Sequence, residues 1–378
     1  MVLHDLNNRG SDRKPTQIPE AWRPRLELDE HGGYAVSSPR TWEISDAVEI
    51  LAEFDLDPNQ WRVVSVRQSK WQRYDEEWLH SYRVNVVPAG VSYVPDVDQL
   101  ADEIRRWKPR KVDKTKGDLT FLAVMGDTQW GKDAGDGTKG TIARVLEARE
   151  RALHNLKAHR DKVGTIALPQ IGDCIEGIVS QGGRIQGRLD LALTAQIRLG
   201  RRMLLEWVKT FAPYTDKLII PVVPGNHDET TRQLITEPTD SFQVDIVAAV
   251  LEACGENPEL GHVEARFPDV DNTTLAINLS DTLVGFAHGH QARDMVKWWE
   301  GQALGATPVG QADILISGHY HHYRAQQVGH RTWIQIPSID GGSAWFRDRK
   351  GYDSPPGLIT LTVGADHNPL TNLSLIGV

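Results

Sequence analysis

From Leu119 onward, apolar runs of strand length alternate with amphipathic stretches of helix length, and that alternation constrains the fold more than any other feature. Leu119 to Met125, Gly164 to Ile171 and Leu218 to Val223 read as buried strands. Thr141 to Lys157, Leu189 to Thr210 and about Ser241 to Cys254 read as helices. After Glu264 the expected strands are shorter: Leu275 to Leu279, Leu283 to Ala287, Ile314 to Ser317, Trp333 to Ile336 and Leu358 to Val363. This order predicts an α/β domain whose parallel strands are joined by helices laid on the sheet. Ligands in such domains collect where the strands end.

Five of those ends carry chemistry. The first strand runs into Gly126-Asp127-Thr128-Gln129, the second into Gly172-Asp173-Cys174-Ile175-Glu176 and the third into Pro224-Gly225-Asn226-His227-Asp228. Two later strands run into His288-Gly289-His290 and Gly318-His319-Tyr320-His321. Glycine permits a tight exit from a strand. Carboxylate and amide oxygens suit hard divalent cations, and imidazole suits borderline ones. The donors are numerous enough for two ions. His154, His159, His262, His330 and His367 stand outside these segments and read as structural or exposed.

This set, in this order, resembles the calcineurin-like metallophosphoesterase superfamily over about residues 119 to 345. His288-Gly289-His290-Gln291 followed by Ile314 to His319 is similar to the branch of small bacterial phosphodiesterases and the retromer scaffold subunit. The motif order is also similar to that of SbcD-type nucleases, with a looser likeness to phage-encoded phosphoesterases. The resemblance implies an α/β fold of metallophosphoesterase type, an αββα sandwich of two mixed β-sheets flanked by helices. It further implies two divalent ions, Mn2+ favoured and Mg2+, Zn2+ or Fe2+ the alternatives.

Carried over by position, Asp127 and His321 would bind the first ion and Asp173 would bridge both. Asn226, His288 and His319 would bind the second. His322 would replace His321 if the loop register differed, and His290 would pack behind the ligands. His227 would lie beside the phosphate and its leaving group, next to Asn226 and oriented by Glu176. Two residues depart from the pattern: Gln129 stands where the family has His, and Glu176 where it commonly has Asp. Gln129 would ligate through its amide oxygen and favour Mn2+ or Mg2+. Two such ions about 3.5–4 Å apart hold a bridging hydroxide for in-line attack, so no phosphoenzyme is expected.

The remainder of the chain bounds the function. A net charge of −9 leaves no global basic footprint, and two cysteines exclude a Cys-based zinc site and fit a reducing cytoplasm. No run approaches eighteen apolar residues, so no membrane association is expected. Residues 1–40 read as an irregular or disordered arm, 41–100 as a small helix-plus-hairpin α+β module, 101–118 as a basic linker and 119–378 as the catalytic domain. Trp71, Tyr74, Trp78 and Tyr82, with Arg67, Lys70, Arg73 and Arg83, either stack nucleotide bases or simply form the module's core. The linker is either solvated or touches phosphates. Lys132, Lys139, Arg184, Arg188 and Arg232 are the candidate substrate cations. Together these favour a nuclease-type phosphodiesterase on nucleic acid. The alternatives are a small-molecule phosphodiesterase or phosphatase and a catalytically weak scaffold, with a homo-oligomer or partner protein open.

Overall fold

A computed structural model of the chain describes residues 24–29, 32–44, 46, 48–58, 60–73, 76–88, 103–180, 189–231, 237–342, 347–348, 351, 354–365 and 368–378. The chain divides into two compact units, Met1–Pro95 and Asp96–Val378.

Among its described residues, the first unit is an antiparallel sheet with one short helix. Its strands are β1 (Arg25–Asp29), β2 (Gly32–Val36), β3 (Trp61–Gln72) and β4 (Trp78–Pro88), in the order β1-β2-β4-β3. Helix α1 (Val48–Glu53) packs Ile50 and Leu51 against Ala35, Tyr82, Val84 and Val86. Residues 25–29 and 32–36, expected in an irregular arm, are therefore strands. The signal is weak because Arg25, Glu27 and Asp29 alternate with only two leucines, and the pairing of β2 with β4 supplies what the local pattern lacks. Of the module's aromatics, Tyr82 is core, Trp78 is 49% exposed and Tyr74 lies outside the described residues.

In the second unit, β5 (Leu119–Val124), β6 (Val163–Ala167), β7 (Leu218–Pro221) and β8 (Val263–Arg266) run parallel. The hairpin β14 (Gly357–Ala365) and β15 (Asn368–Gly377) extends them antiparallel, giving the order β15-β14-β5-β6-β7-β8. A second mixed sheet contains β9 (Thr274–Leu279), β10 (Thr282–Ala287), β11 (Ile314–Ser317), β12 (Arg324–Val328) and β13 (Arg331–Gln335), in the order β12-β13-β11-β10-β9.

Period-two alternation builds the layers. Leu122 and Val124 of β5 meet Val284, Phe286, Ile316 and Ile334 of the other sheet. Phe121 and Ala123 belong instead to the core under helices α2 (Gly137–His159), α3 (Leu193–Phe211) and α4 (Phe242–Gly255). Helix α5 (Met295–Leu304) covers the second sheet through Met295 and Trp299. The result is an αββα sandwich, as the motifs implied. None of the described helices is long and apolar enough to cross a membrane.

Residues 103–118 are not a free linker. Asn257 Nδ2 donates to the carbonyls of Ile104 (2.7 Å) and Trp107 (2.9 Å), and Thr115 N donates to Tyr214 O at 2.7 Å. The apolar anchors Ile104 and Trp107 hold the segment to the domain while Arg106, Lys108, Arg110 and Lys111 stay exposed. Because it leads into the first residue of β5, this basic strap lies at the amino edge of the sheet, opposite the motif-bearing ends.

Candidate metal centre

Strands β5, β6 and β7 share one direction in the first sheet, and β10 and β11 share one in the second, so their carboxyl ends meet at one rim. The loops there are backbone-strained. Asp127 (φ 51°), Gln129 (43°), Asp173 (52°), His319 (69°) and His321 (58°) all sit in the left-handed region, which costs a non-glycine residue about 1–3 kcal/mol. The loops are tied to one another: Asp127 N donates to Gly172 O (3.0 Å), Gln129 N to Asp173 O (3.0 Å) and Gly318 N to His288 O (2.7 Å).

Gly225 is demanded by close approach, since a Cβ there would lie 2.1 Å from Asp173 Oδ1 and 2.2 Å from Asp173 N. Gly225→Ala is expected to displace Asp173 and cut metal affinity at least about tenfold, as changes beside metal ligands do. Calorimetric titration with Mn2+ reads this, and wild-type affinity in the variant would contradict it.

Asp173, His288 and His319 each offer one ligand atom, all within 4.8 Å of one another. His288 is fully buried, and its Nδ1 lies 2.7 Å from the Ile171 carbonyl. That contact assigns a proton to Nδ1 and turns Nε2 toward Asp173 Oδ2 at 3.0 Å. Burial opposes charge on both groups, yet their mutual attraction prevails: His288 is raised to about 10 and Asp173 is held well below the carboxylate range. Burial, reinforced by the neighbouring His288, lowers His319 to about 4 and keeps that imidazole neutral, the form that ligates.

The donor set fits a divalent cation. Among the described residues, Asp127 Oδ1 and His288 Nε2 are shielded from solvent and make no well-directed hydrogen bond, facing only His321 Nε2 and Asp173 Oδ2, an arrangement of converging donors that an ion would complete. Asp127 is fully buried, accepts from His319 N at 3.0 Å and places Oδ1 3.2 Å from His321 Nε2. His322 instead turns its Nδ1 to Tyr320 O at 2.8 Å. Asn226 follows Gly225 and precedes His227, both of which pack on Asp173, and its amide oxygen is buried.

His227 closes the other side. Its backbone N donates to Asp173 Oδ1 at 2.7 Å, and its Nε2 lies 3.1 Å from Ser180 Oγ and 4.0 Å from Asp173 Oδ2. Nδ1 faces Glu176 twice, at 3.1 Å from the carbonyl and 3.5 Å from the carboxylate. Burial opposes its charge, but Asp173 and then Glu176 outweigh it and raise His227 to about 9, a proton donor at neutral pH.

Several expectations about individual residues change. Gln129 Oε1, expected to face an ion, accepts from Lys132 Nζ at 2.8 Å. Lys132, a candidate substrate cation, also pairs closely with Asp340. Lys139 is exposed on the first turn of α2, which starts four residues before the expected Thr141 because Asp190 accepts from Thr138 N (2.7 Å) and Oγ1 (2.6 Å). Arg184, Arg188 and Arg232 lie outside the described residues.

Asp228, the last residue of the Pro224–Asp228 segment, has a role the sequence did not announce. Fully buried, it accepts from Asp173 N (2.5 Å), Gly225 N (3.1 Å) and Ile175 N (3.3 Å), clamping two metal loops. Asp228→Ala strands three buried donors and should cost roughly 3 kcal/mol or more. An unchanged denaturation midpoint would contradict that role.

No protein-family model matches the chain, and no curated protein matches it. Solved structures do match. One is described as a predicted phosphoesterase from Streptococcus pneumoniae (15% identity, 65% of this chain and 83% of that chain, TM-score 0.30). Another is zinc-complexed Vps29 from Entamoeba histolytica (14% identity, 68% and 98%, TM-score 0.31). A third is an archaeal phosphodiesterase (12% identity, 68% and 99%, TM-score 0.32). At these scores the likeness is loose, and the chemistry of this chain is read from its own residues.

Proposed function

We propose that this chain is a metal-dependent phosphoesterase that hydrolyses phosphodiester bonds, with nucleic acid as the favoured substrate. The observation that carries the reading is the buried Asp173–His288–His319 cluster with His227 packed against Asp173 beside it. Two divalent ions held by Asp127, Asp173, Asn226, His288, His319 and His321 would activate water and neutralise phosphoryl oxygens.

The chain's own groups supply the rest. His227 Nε2 lies beside Asp173 and delivers a proton to the departing oxygen, while the Glu176 carbonyl and carboxylate hold Nδ1 and fix the ring. Cys174 offers no nucleophile, because burial pushes its thiol well above its ordinary value. Direct hydrolysis without a covalent adduct follows.

For nucleic acid, support comes from the β3–β4 ribbon of the first unit, where Lys70 Nζ stands 5.2 Å over the ring of exposed Trp78 on one face and the exposed Arg67 and Arg83 pair across the strands on the other. The basic strap no longer contributes, since it lies at the rim opposite the metal centre. One observation favours a second reading, a partner-binding scaffold: the hold of Lys132 on Gln129 weakens the first metal position. The complete Asp173–His288–His319 set weighs against it.

The test is a Mn2+-dependent assay on labelled DNA, RNA, cyclic nucleotides and an aryl phosphodiester. Cleavage of DNA or RNA is expected. Intact polynucleotides with cleaved small esters would overturn the substrate class, and no cleavage of any would overturn the enzyme.

A further inference from the structure

Lys132 reaches inward to the rim. Its side chain is 17% exposed, and its ammonium is shared between Gln129 Oε1 and the carboxylate of Asp340, which is 3% exposed. Asp340 is itself fixed: its Oδ1 accepts from Ser338 Oγ (2.5 Å) and Gly342 N (3.2 Å), and lies 4.0 Å from His321 Nδ1. His321 Nε2 in turn lies 3.2 Å from Asp127 Oδ1. The ammonium therefore holds Gln129, expected at the first metal position, and shares Asp340 with His321, expected at the same position.

We infer that Lys132 is a resident cation of the first metal position. The chain holds one divalent ion tightly, at Asp173, His288 and His319, and admits a second only when Lys132 releases Gln129. The inference rests on the metal-centre reading above.

The chemistry of position 129 makes the difference. A neutral imidazole there, offering one lone pair, would give it to the ion. An amide oxygen has two lone pairs, no charge and weaker affinity for the ion, and accepts an ammonium readily. Asp340 is the anchor, because expelling Lys132 leaves a buried carboxylate without its cation. An ammonium and a dication competing for one acceptor repel at short range, and in a partly buried site this weakens the second ion by about a hundredfold. The same ammonium gives the first position a fixed positive charge before any second ion arrives.

The test is Mn2+ titration by calorimetry, with electron paramagnetic resonance to detect spin-coupled ion pairs, on wild type, Lys132→Met and Gln129→His. Histidine tolerates the left-handed backbone at position 129. Wild type is expected to bind one ion tightly and a second about a hundredfold more weakly, with no coupled-pair spectrum at one equivalent. Each variant should bring the two affinities within about tenfold of each other, since the competing charge or the weak donor is gone. Two ions of equal affinity in wild type would overturn the inference and leave the metal reading standing. So would a folded variant whose second ion stays as weak. If neither variant folds, the wild-type ratio alone decides. A wild type that binds no Mn2+ at all would overturn the metal reading and this inference together.

Discussion

Asp173→Asn is expected to abolish phosphodiester hydrolysis, leaving the rate of a metal-stripped sample. Asp173 serves several groups of the rim at once. Asp173 faces His288 Nε2 at 3.0 Å, accepts from His227 N at 2.7 Å and stands against Gly225. The amide keeps the shape and one oxygen, so the His227 backbone contact survives while the negative charge is lost. In the metal-free protein, His288 would then lose the carboxylate that favours its charged form, and the buried ion pair it makes with Asp173 is gone, which destabilises the fold as well. Thermal melting with and without Mn2+ separates the two effects. Wild type should gain stability from Mn2+ and the variant should not, because only a state that binds the ion is stabilised by it. Retained activity in a folded Asp173→Asn protein would remove this residue from the centre.

His227→Asn should lower the rate by about 10²–10⁴-fold while metal content stays at the wild-type level, the signature of a lost general acid. The loss should depend on the ester. An aryl phosphodiester, whose phenolate leaves without help, should suffer least, and a dinucleotide most. The protonated form of His227 is the active one, so wild-type activity should fall as pH rises through its ionisation. In the metal-free protein His227 is raised to about 9, and bound cations would bring that fall to a lower pH by opposing the field of Asp173. In His227→Asn this alkaline fall should vanish. An equal loss on aryl and nucleotide esters would show that His227 positions substrate and moves no proton.

The strand-end motifs were legible because each is a glycine-bounded run of metal-type residues placed directly after an apolar strand, and both signals are local. The α/β character followed from the same alternation, while the two-sheet αββα arrangement was implied only by the family resemblance. What escaped the sequence depends on contacts distant along the chain. Lys132 and Asp340 are separated by 208 positions, and nothing near either one announces the pair. The tautomer of His288 is fixed by the Ile171 carbonyl, a backbone group that no motif records. Edge strands were invisible for a different reason: β12, with sequence RAQQV, is mostly exposed and polar, and it is ordered by pairing with β13. In residues 103–118 the density of positive charge concealed Ile104 and Trp107, the two side chains that decide where the segment goes.

Anomalous diffraction from a crystal soaked in Mn2+ tests the central claim most directly. A peak should stand within about 2.0–2.3 Å of a carboxylate oxygen of Asp173 and of ring nitrogens of His288 and His319, the coordination distances such ligands impose. An anomalous map with no peak between these three residues, from crystals with Mn2+ bound elsewhere on the chain, would contradict the metal centre and the hydrolysis proposed from it.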